Sequence, residues 1–347
     1  MSAKRASADP DDAPTTVEVA GRAIEVTHPG KVFFAERGDT KLDLVEFYVT
    51  IGDSLMQAMR DRPVLLQRFP NGAGGSSFFQ KRIPDSAPEW LTTTIVSTPN
   101  GTTARALVIA DLAHLVWAVN LGCLGFHSWP MRVADPAHCD ELRLDLDPQP
   151  GTTFAMAQET AHEVRTLLDE LGVRGYIKTT GNRGLHVYVR LLPRWDSFAV
   201  RSAAVAVARE LARRRPDLIT DAWWKEERGA RIFIDFNQNA PHKTVFAPWS
   251  VRARDHAPVS SPFEWRELDA IRPDDLTLAT VPARLSTLGD PWRDIDEHPH
   301  GLEPFLELVA QDERRGLADA PWPPVYPKMA NEPPRVAPSR AKRRPAH

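Results

Sequence analysis

The chain has 347 residues, 42% of them hydrophobic, enough for one large domain or two of ordinary size with a buried core, which excludes wholesale disorder. Lys and Arg number 43 against 46 Asp and Glu, a formal net charge of −3, so no global positive charge announces a polyanionic partner. Two cysteines, Cys123 and Cys139, are too few for a disulfide-stapled scaffold, and the start MSAKRASADPDDAP lacks the apolar core of a signal peptide, which points to a reducing, cytoplasmic setting.

In chain order, residues 1–16 are small, polar and charged and read as a mobile arm, with order beginning near Val17. Helical periodicity over Leu42 to Met59 predicts one amphipathic helix. Arg62 to Pro84 holds Arg62, Arg68, Lys81 and Arg82 and no acid. Within it, Phe78 and Phe79 follow the glycine-rich run 72–75 and read either as core or as a base-stacking platform beside Lys81. The most apolar window, Leu107 to Phe126, is interrupted by Asp111, His114 and Asn120 and reads as a buried helix, not a membrane span. Cys123, His127, His138 and Cys139 invite a zinc reading, but adjacent His138 and Cys139 are poor chelate geometry and no C-x-x-C is present, so free thiols are expected.

Strand-like and helix-like segments alternate throughout, which predicts a mixed α and β domain. Ala155 to Leu171 and Val200 to Arg214 have helical spacing. Three segments alternate with period two: Leu142 to Asp147, Leu185 to Leu191 and Ile232 to Phe236. On the first, Asp145 and Asp147 leave one face about 7 Å apart, close enough to converge on one hard cation. A Pro/Gly turn follows at once, and this predicts a sheet edge facing solvent. Asp235 is a single carboxylate in the apolar run IFIDF, read as a third metal ligand or as a helix cap or salt-bridge partner. The loop from Thr180 to His186 has two glycines, with Thr180, Arg183 and His186 as donors, but it is neither a P-loop nor a Rossmann fingerprint. Leu171 to Trp195 (Arg174, Lys178, Arg183, Arg190, Arg194) and Phe236 to Arg254 (Lys243, Arg252, Arg254) are again free of acids. Together these windows predict a cleft with metals on its floor and cations on its walls, suited to a triphosphate or a nucleic-acid backbone. From Ala320 onward eight of 28 residues are proline and the last thirteen carry five Arg or Lys without an acid, which reads as a solvated tail.

The segments RLDLDPQPG, TTGNRGLHVYV and RIFIDFNQNAPHKTVFAPWSVRAR resemble the three catalytic motifs of the archaeo-eukaryotic primase superfamily, in the form of the bacterial ligase-D-type polymerase domain. The resemblance begins at THPGKVFF, passes through RPVLLQRFPNG and FFQKRIPDSAPEW, and ends at VPARLSTLGDPW near Trp292. The Lys-x-Asp-Gly adenylation motif is absent, so the likeness is to the stand-alone actinobacterial enzymes of primase-polymerase C type. It implies an α+β fold: a catalytic mixed sheet of RNA-recognition-motif layout over about 136–296, an N-terminal α/β subdomain over about 17–135, and a C-terminal extension over 297–347. The two acidic strands should be neighbours.

The resemblance further implies Asp145, Asp147 and Asp235 as a triad for two Mn2+ or Mg2+ ions, and Thr180, Arg183, His186, His127, Gln238, Arg252 and Arg254 as nucleotide contacts. Lys31 and Lys41 match lysines that hold a DNA 5′-phosphate, and Phe79 matches an aromatic that stacks near the template. Three positions depart from the pattern: Thr180 for serine, Arg183 for lysine, and Gln67 for a lysine before Arg68. The implied activity is template-dependent gap filling in DNA repair with a ribonucleotide preference. The implied partners are gapped DNA, NTP or dNTP, an ATP-dependent DNA ligase and Ku, and the implied state is a monomer associated with the nucleoid. Two other readings remain: a haloacid-dehalogenase-like phosphatase, whose signature also places aspartates at i and i+2 after an apolar strand, and a non-catalytic DNA-end-binding module that recruits a ligase through Lys31 and Lys41.

Overall fold

A computed structural model describes residues 13–329 together with 332 and 333. The chain starts with a hairpin, β1 (Thr15–Val19) and β2 (Arg22–Val26), then a short pair, β3 (Val32–Phe34) and β4 (Asp39–Thr40). The predicted helix over Leu42 to Met59 is two helices, α1 (Lys41–Thr50) and α2 (Gly52–Met59). A capping box between Thr40 and Asp43 starts α1. The break comes where the chain closes on the third helix: a Cβ on Gly52 would stand 2.6 Å from Leu112 Cδ2.

Strands β5 (Pro63–Arg68), β6 (Phe78–Gln80), β7 (Thr93–Ser97) and β8 (Thr103–Val108) follow, then α3 (Leu112–Asn120) and β9 (Cys123–Ser128). The apolar window 107–126 is thus a strand end, one short helix and a strand start, and among the described residues no helix is long and apolar enough to cross a membrane. Both cysteines are free and buried.

The second half runs β10 (Cys139–Pro148), α4 (Phe154–Glu170), β11 (Tyr176–Thr179), β12 (Leu185–Trp195), α5 (Ser197–Arg214), β13 (Ile219–Thr220), α6 (Lys225–Arg228), β14 (Ile232–Ile234), β15 (Val245–Phe246) and β16 (Pro262–Phe263), and closes with α7 (Val281–Leu288) and α8 (Glu303–Arg314). Two sheets result. One has the order β15-β9-β5-β8-β7 with β6 on β5; the other has the order β13-β14-β10-β12-β11-β16. Within the second, β14-β10-β12-β11 are antiparallel neighbours and α4 and α5 are the crossovers, which is the βαββαβ arrangement of RNA-recognition motifs. The α+β expectation and the adjacency of the acidic strands both hold.

The alternation on β10 explains why this sheet is two-faced. Leu142, Leu144 and Leu146 are fully buried in one cluster with Ala157, Ala161 and Val164 of α4 and Val200 and Ala204 of α5. Burial of such leucines contributes roughly 1.5–3 kcal/mol each. Glu141, Arg143, Asp145 and Asp147 occupy the other face. The acids do not sit on an edge strand, because β10 is paired on both sides; they reach solvent at the strand's end.

The stretch from Ala320 corrects a second expectation. Ala320, Trp322 and Tyr326 are buried, and Trp322 stacks on Arg201 of α5, so aromatic residues between the prolines dock this part of the segment onto the domain. The basic residues 335–347, like 1–12, lie outside the described residues.

Candidate active site

Register places three chemically distinct groups in one row across the second sheet. Asp145 on β10 is opposite His186 on β12, which is opposite Lys178 on β11. His186 Nε2 lies 3.2 Å from Asp145 Oδ1. Burial, and after it the charges of Lys178 and Arg252, push His186 well below the ordinary histidine range, so a neutral imidazole stands beside the carboxylate. The resemblance implies a nucleotide contact for this histidine, and the structure places it beside Asp145 on the neighbouring strand. Lys178 is buried, with its ammonium on Ser260 Oγ and the Thr179 carbonyl, and burial lowers its pKa strongly.

Strand β14 ends one residue before Asp235, and the Asp235 backbone N–H donates to the Asp145 carbonyl at 2.9 Å. The strand predicted over Ile232 to Phe236 therefore gives way to a 3-10 turn, Phe236–Asn239, capped by Asp235 Oδ1, which accepts from Asn237 N at 3.1 Å. Gln238 Nε2 bridges the acids, 2.9 Å from Asp235 Oδ2 and 3.4 Å from Asp145 Oδ2. Asp147, at the exposed end, accepts from Gln149 Nε2 at 3.0 Å.

Burial raises Asp145 to about 6 despite nearby Lys178 and Arg252, and burial and then the Asp145 charge raise Asp235 to about 6. Asp147 is raised for the same two reasons. Three carboxylates on adjoining backbone that all resist ionisation lack sufficient positive charge, and their all-oxygen donor set suits a hard divalent cation such as Mg2+ or Mn2+. Among the described residues no group of three His, Cys, Asp or Glu side chains is already gathered for a metal, and Gln238 and Gln149 hydrogen-bond to the acids.

The loop after β11 is shaped for close approach. Thr180 Oγ1 accepts the N–H groups of Asn182 and Gly184, both at 3.2 Å. Gly181 has φ +69° and its Cβ would meet Arg252 Cγ at 2.8 Å, while a Cβ on Gly184 would stand 2.5 Å from the Leu146 carbonyl, so both positions require glycine. Arg183 and Arg254 are exposed. Arg252 donates from Nε to the Thr180 carbonyl at 2.9 Å, lies 3.4 Å from the Phe246 ring centre, and is lowered to about 10 by burial.

From Phe246 the wall continues into the first sheet. His127 on β9 is sandwiched edge-on between Phe246 and Phe79, at 5.2 and 5.3 Å between centroids. Its Nε2 is buried without a partner, and burial, then Arg252 and Lys178, lower it to about 3. Phe79 is 58% exposed and Phe78 47%, the latter under Arg68. Gln67 packs at Gly125 beside Phe246, so the departure from lysine leaves a neutral amide there.

Three other predicted cations are committed elsewhere, whereas the charge of Lys243 reaches Asp235. Arg62 and Arg190 are buried in ion pairs with Asp140 and Glu141, and Arg174 pairs with Asp294. Lys31 and Lys41 are adjacent, with Lys41 N on the Lys31 carbonyl. Lys31 is half-buried and donates to the Pro70 carbonyl at 2.6 Å; Lys41 is buried, on the carbonyls of Thr27 and Asn120 and on Asn120 Oδ1. Arg228, which the acid-free windows missed because it lies in the mixed-charge turn KEER, feels both Asp147 and Asp235 and rests 3.5 Å from the Phe233 ring centre.

The LigD primase-polymerase domain family matches residues 40–292. The multifunctional non-homologous end joining protein LigD of Mycolicibacterium smegmatis is 32% identical over 315 residues, 89% of this chain and 40% of that protein. Its counterpart in Pseudomonas aeruginosa is 34% identical over 297 residues, 84% of this chain and 34% of that protein. The chain therefore spans well under half the length of these relatives. The polymerase domain of Mycobacterium tuberculosis ligase D, solved in complex with DNA, superposes with a TM-score of 0.75 at 32% identity, covering 80% of this chain and 99% of that one. This chain belongs to the LigD primase-polymerase domain family and is an enzyme of the nucleotidyltransferase class.

Proposed function

We propose that the chain is a template-dependent polymerase that fills short DNA gaps bearing a 5′-phosphate. The observation that carries this reading is the set of undercompensated carboxylates, Asp145, Asp147 and Asp235, beside a loop built for phosphate approach. Mn2+ or Mg2+ held by these three acids would lower the pKa of a primer 3′-hydroxyl and offset charge on the α-phosphate and departing pyrophosphate. The chain's own groups bind and orient. Arg183, Arg252 and Arg254 balance the triphosphate, Thr180 donates its O–H to a phosphate oxygen, and the N–H groups of the glycine loop approach closely. His186 and Gln238 hold the carboxylates in register, and the orphaned Nε2 of His127 offers a sugar hydroxyl a neutral partner, which favours ribonucleotides. Phe79 stacks on the template. Lys31 meets the 5′-phosphate while Lys41 fixes the loop that presents it. End-joining repair with a separate ATP-dependent ligase, and with Ku at the break, is the context this reading implies.

A single-nucleotide gap tests it. Wild-type protein with Mn2+ should add one nucleotide, faster from NTP than dNTP and faster with a 5′-phosphate than a 5′-hydroxyl. Asp145→Ala with Asp147→Ala should reduce incorporation by about a thousandfold or more. Incorporation unaffected by the double substitution would sink the assignment, and a 5′-phosphate preference that survives Lys31→Ala would remove that lysine's role.

A further inference from the structure

The segment after α8 lies beyond the matched residues 40–292, yet it reaches the turn that carries Asp235. Arg201 of α5 is the junction. Its side chain is fully buried, and its Nε donates to Asn237 Oδ1 at 2.7 Å. The remaining guanidinium nitrogens bind Asp319 Oδ1 at 3.0 Å and the carbonyls of Ala320 and Pro321 at 2.9 and 3.1 Å. One face of the guanidinium is 3.8 Å from the Trp322 ring centre, with Phe236 also beside it at 5.5 Å. Trp322 is itself anchored, Nε1 to Asp319 Oδ2 at 2.7 Å. Asn237 Nδ2 donates to the Pro321 carbonyl at 3.2 Å, and Tyr326 donates its hydroxyl to the Pro241 carbonyl. Ala240, Trp322 and Tyr326 form a small apolar cluster of their own. Each end of the 235–241 segment is thus tied to the same eight-residue strap.

We propose that Asp319–Tyr326 is a strap that sets the orientation of the Asp235 carboxylate, with Arg201 and Trp322 as positioning residues for divalent-cation binding. The connection is short. Asn237 is held by Arg201 and Pro321, and its backbone N–H holds Asp235 Oδ1, so Oδ2 is left to face Gln238 and the cleft. A carboxylate whose rotation is fixed by an outer hydrogen bond binds a cation without first losing that freedom, and removal of such partners costs about 10- to 100-fold in metal affinity. The strap's own anchor is a buried guanidinium paired with Asp319 and stacked on an indole face, an arrangement that resists partial loosening.

The inference rests on the polymerase reading, and the test separates the two. Mn2+ binding to the full chain, without DNA or nucleotide, is measured by electron paramagnetic resonance for wild type, Trp322→Ala, Trp322→Phe and Asp319→Asn, with gapped-DNA affinity and melting midpoint in parallel. Trp322→Ala should weaken Mn2+ binding about tenfold and leave DNA affinity within twofold, Trp322→Phe should restore most of the loss, and Asp319→Asn should weaken Mn2+ binding by about threefold. In gap filling, the Mn2+ midpoint should move by the same factors. If Trp322→Ala is too unstable to measure, Asp319→Asn decides alone. Unchanged Mn2+ affinity in a folded strap variant overturns the strap and leaves the polymerase reading intact; no Mn2+ binding by wild type overturns both.

Discussion

Two ends of β10 carry the same kind of side chain in opposite surroundings. At its start, Asp140 receives Arg62 at 2.6 Å, Arg132 at 2.9 Å and Arg190 at 3.0 Å, and Glu141 receives Arg143 at 2.6 Å and Arg62 at 2.8 Å. Arg62 and then Arg190 hold Asp140 below the usual carboxylate range, and Arg62 and then Arg143 do the same for Glu141, against the burial that would raise both. At the other end, Asp145 and Asp147 lie higher than usual, with neutral amides as their hydrogen-bond partners and an imidazole 3.2 Å from Asp145. The difference shows how one strand divides two tasks. Acids whose charge is answered by fixed guanidiniums join the sheets, and acids whose charge is left unanswered can attract a ligand.

The largest test of that division is Asp140→Asn. It strips three arginines of a shared buried anion, so a loss of about 3–5 kcal/mol is expected, seen as a fall in the melting midpoint on the order of 10 °C. A change under about 1 kcal/mol would mean that the cluster behaves as a surface pair.

Asp235→Asn should do the reverse in the metal-free protein. With a folded pKa near 6 and an unfolded value near 4, the folded state binds more protons between those values, so the stability of the metal-free protein falls as pH rises from 4 to 6. Removing the charge should therefore raise stability at pH 7 by roughly 1–2 kcal/mol, while abolishing incorporation. Thermal melts from pH 4 to 7 should show the wild type losing that stability and Mn2+ restoring it. The Asp140 end has the opposite sign: its depressed pKa contributes stability above about pH 4 that fades as pH falls further. A wild-type curve that is flat from pH 4 to 7 without metal would contradict the contrast.

The smallest effect is expected at Phe79, which belongs to neither end of the strand. Phe79→Ala should weaken binding of gapped DNA by roughly 1 kcal/mol with an unchanged melting midpoint. A drop in stability instead would mark the ring as packing for His127.

Much of this was legible from spacing alone. Period-two alternation identified β10, β12 and β14, and the acids at i and i+2 marked the face on which the carboxylates gather. What could not be read was which charges meet. Arg62 and Asp140 are 78 residues apart, so an acid-free window around Arg62 looks like an exposed cationic wall although its guanidinium is wholly buried. Lys178 was visible only as one cation among five, because its importance comes from cross-strand register with His186 and Asp145. The docked part of the C-terminal segment was hidden by its prolines: composition described a tail, while Trp322 and Tyr326 supply the contacts that hold it.

The arginine cluster has a mechanical consequence. Arg62 stands immediately before β5 of the first sheet and Asp140 lies on β10 of the second, so the ion cluster joins the sheets at the start of β10. Asp147 lies seven residues farther along the same rigid strand, an arm of about 23 Å at 3.3 Å per residue. Arg143, two residues past Glu141, ties β10 to Ser128 of the first sheet as well. The walls of the proposed nucleotide site come from both sheets, His127 and Phe79 from one and Asp145 and Asp147 from the other. On the proposed reading, an ion cluster far from the carboxylates thus bears on the spacing of the two walls that would hold sugar and phosphate.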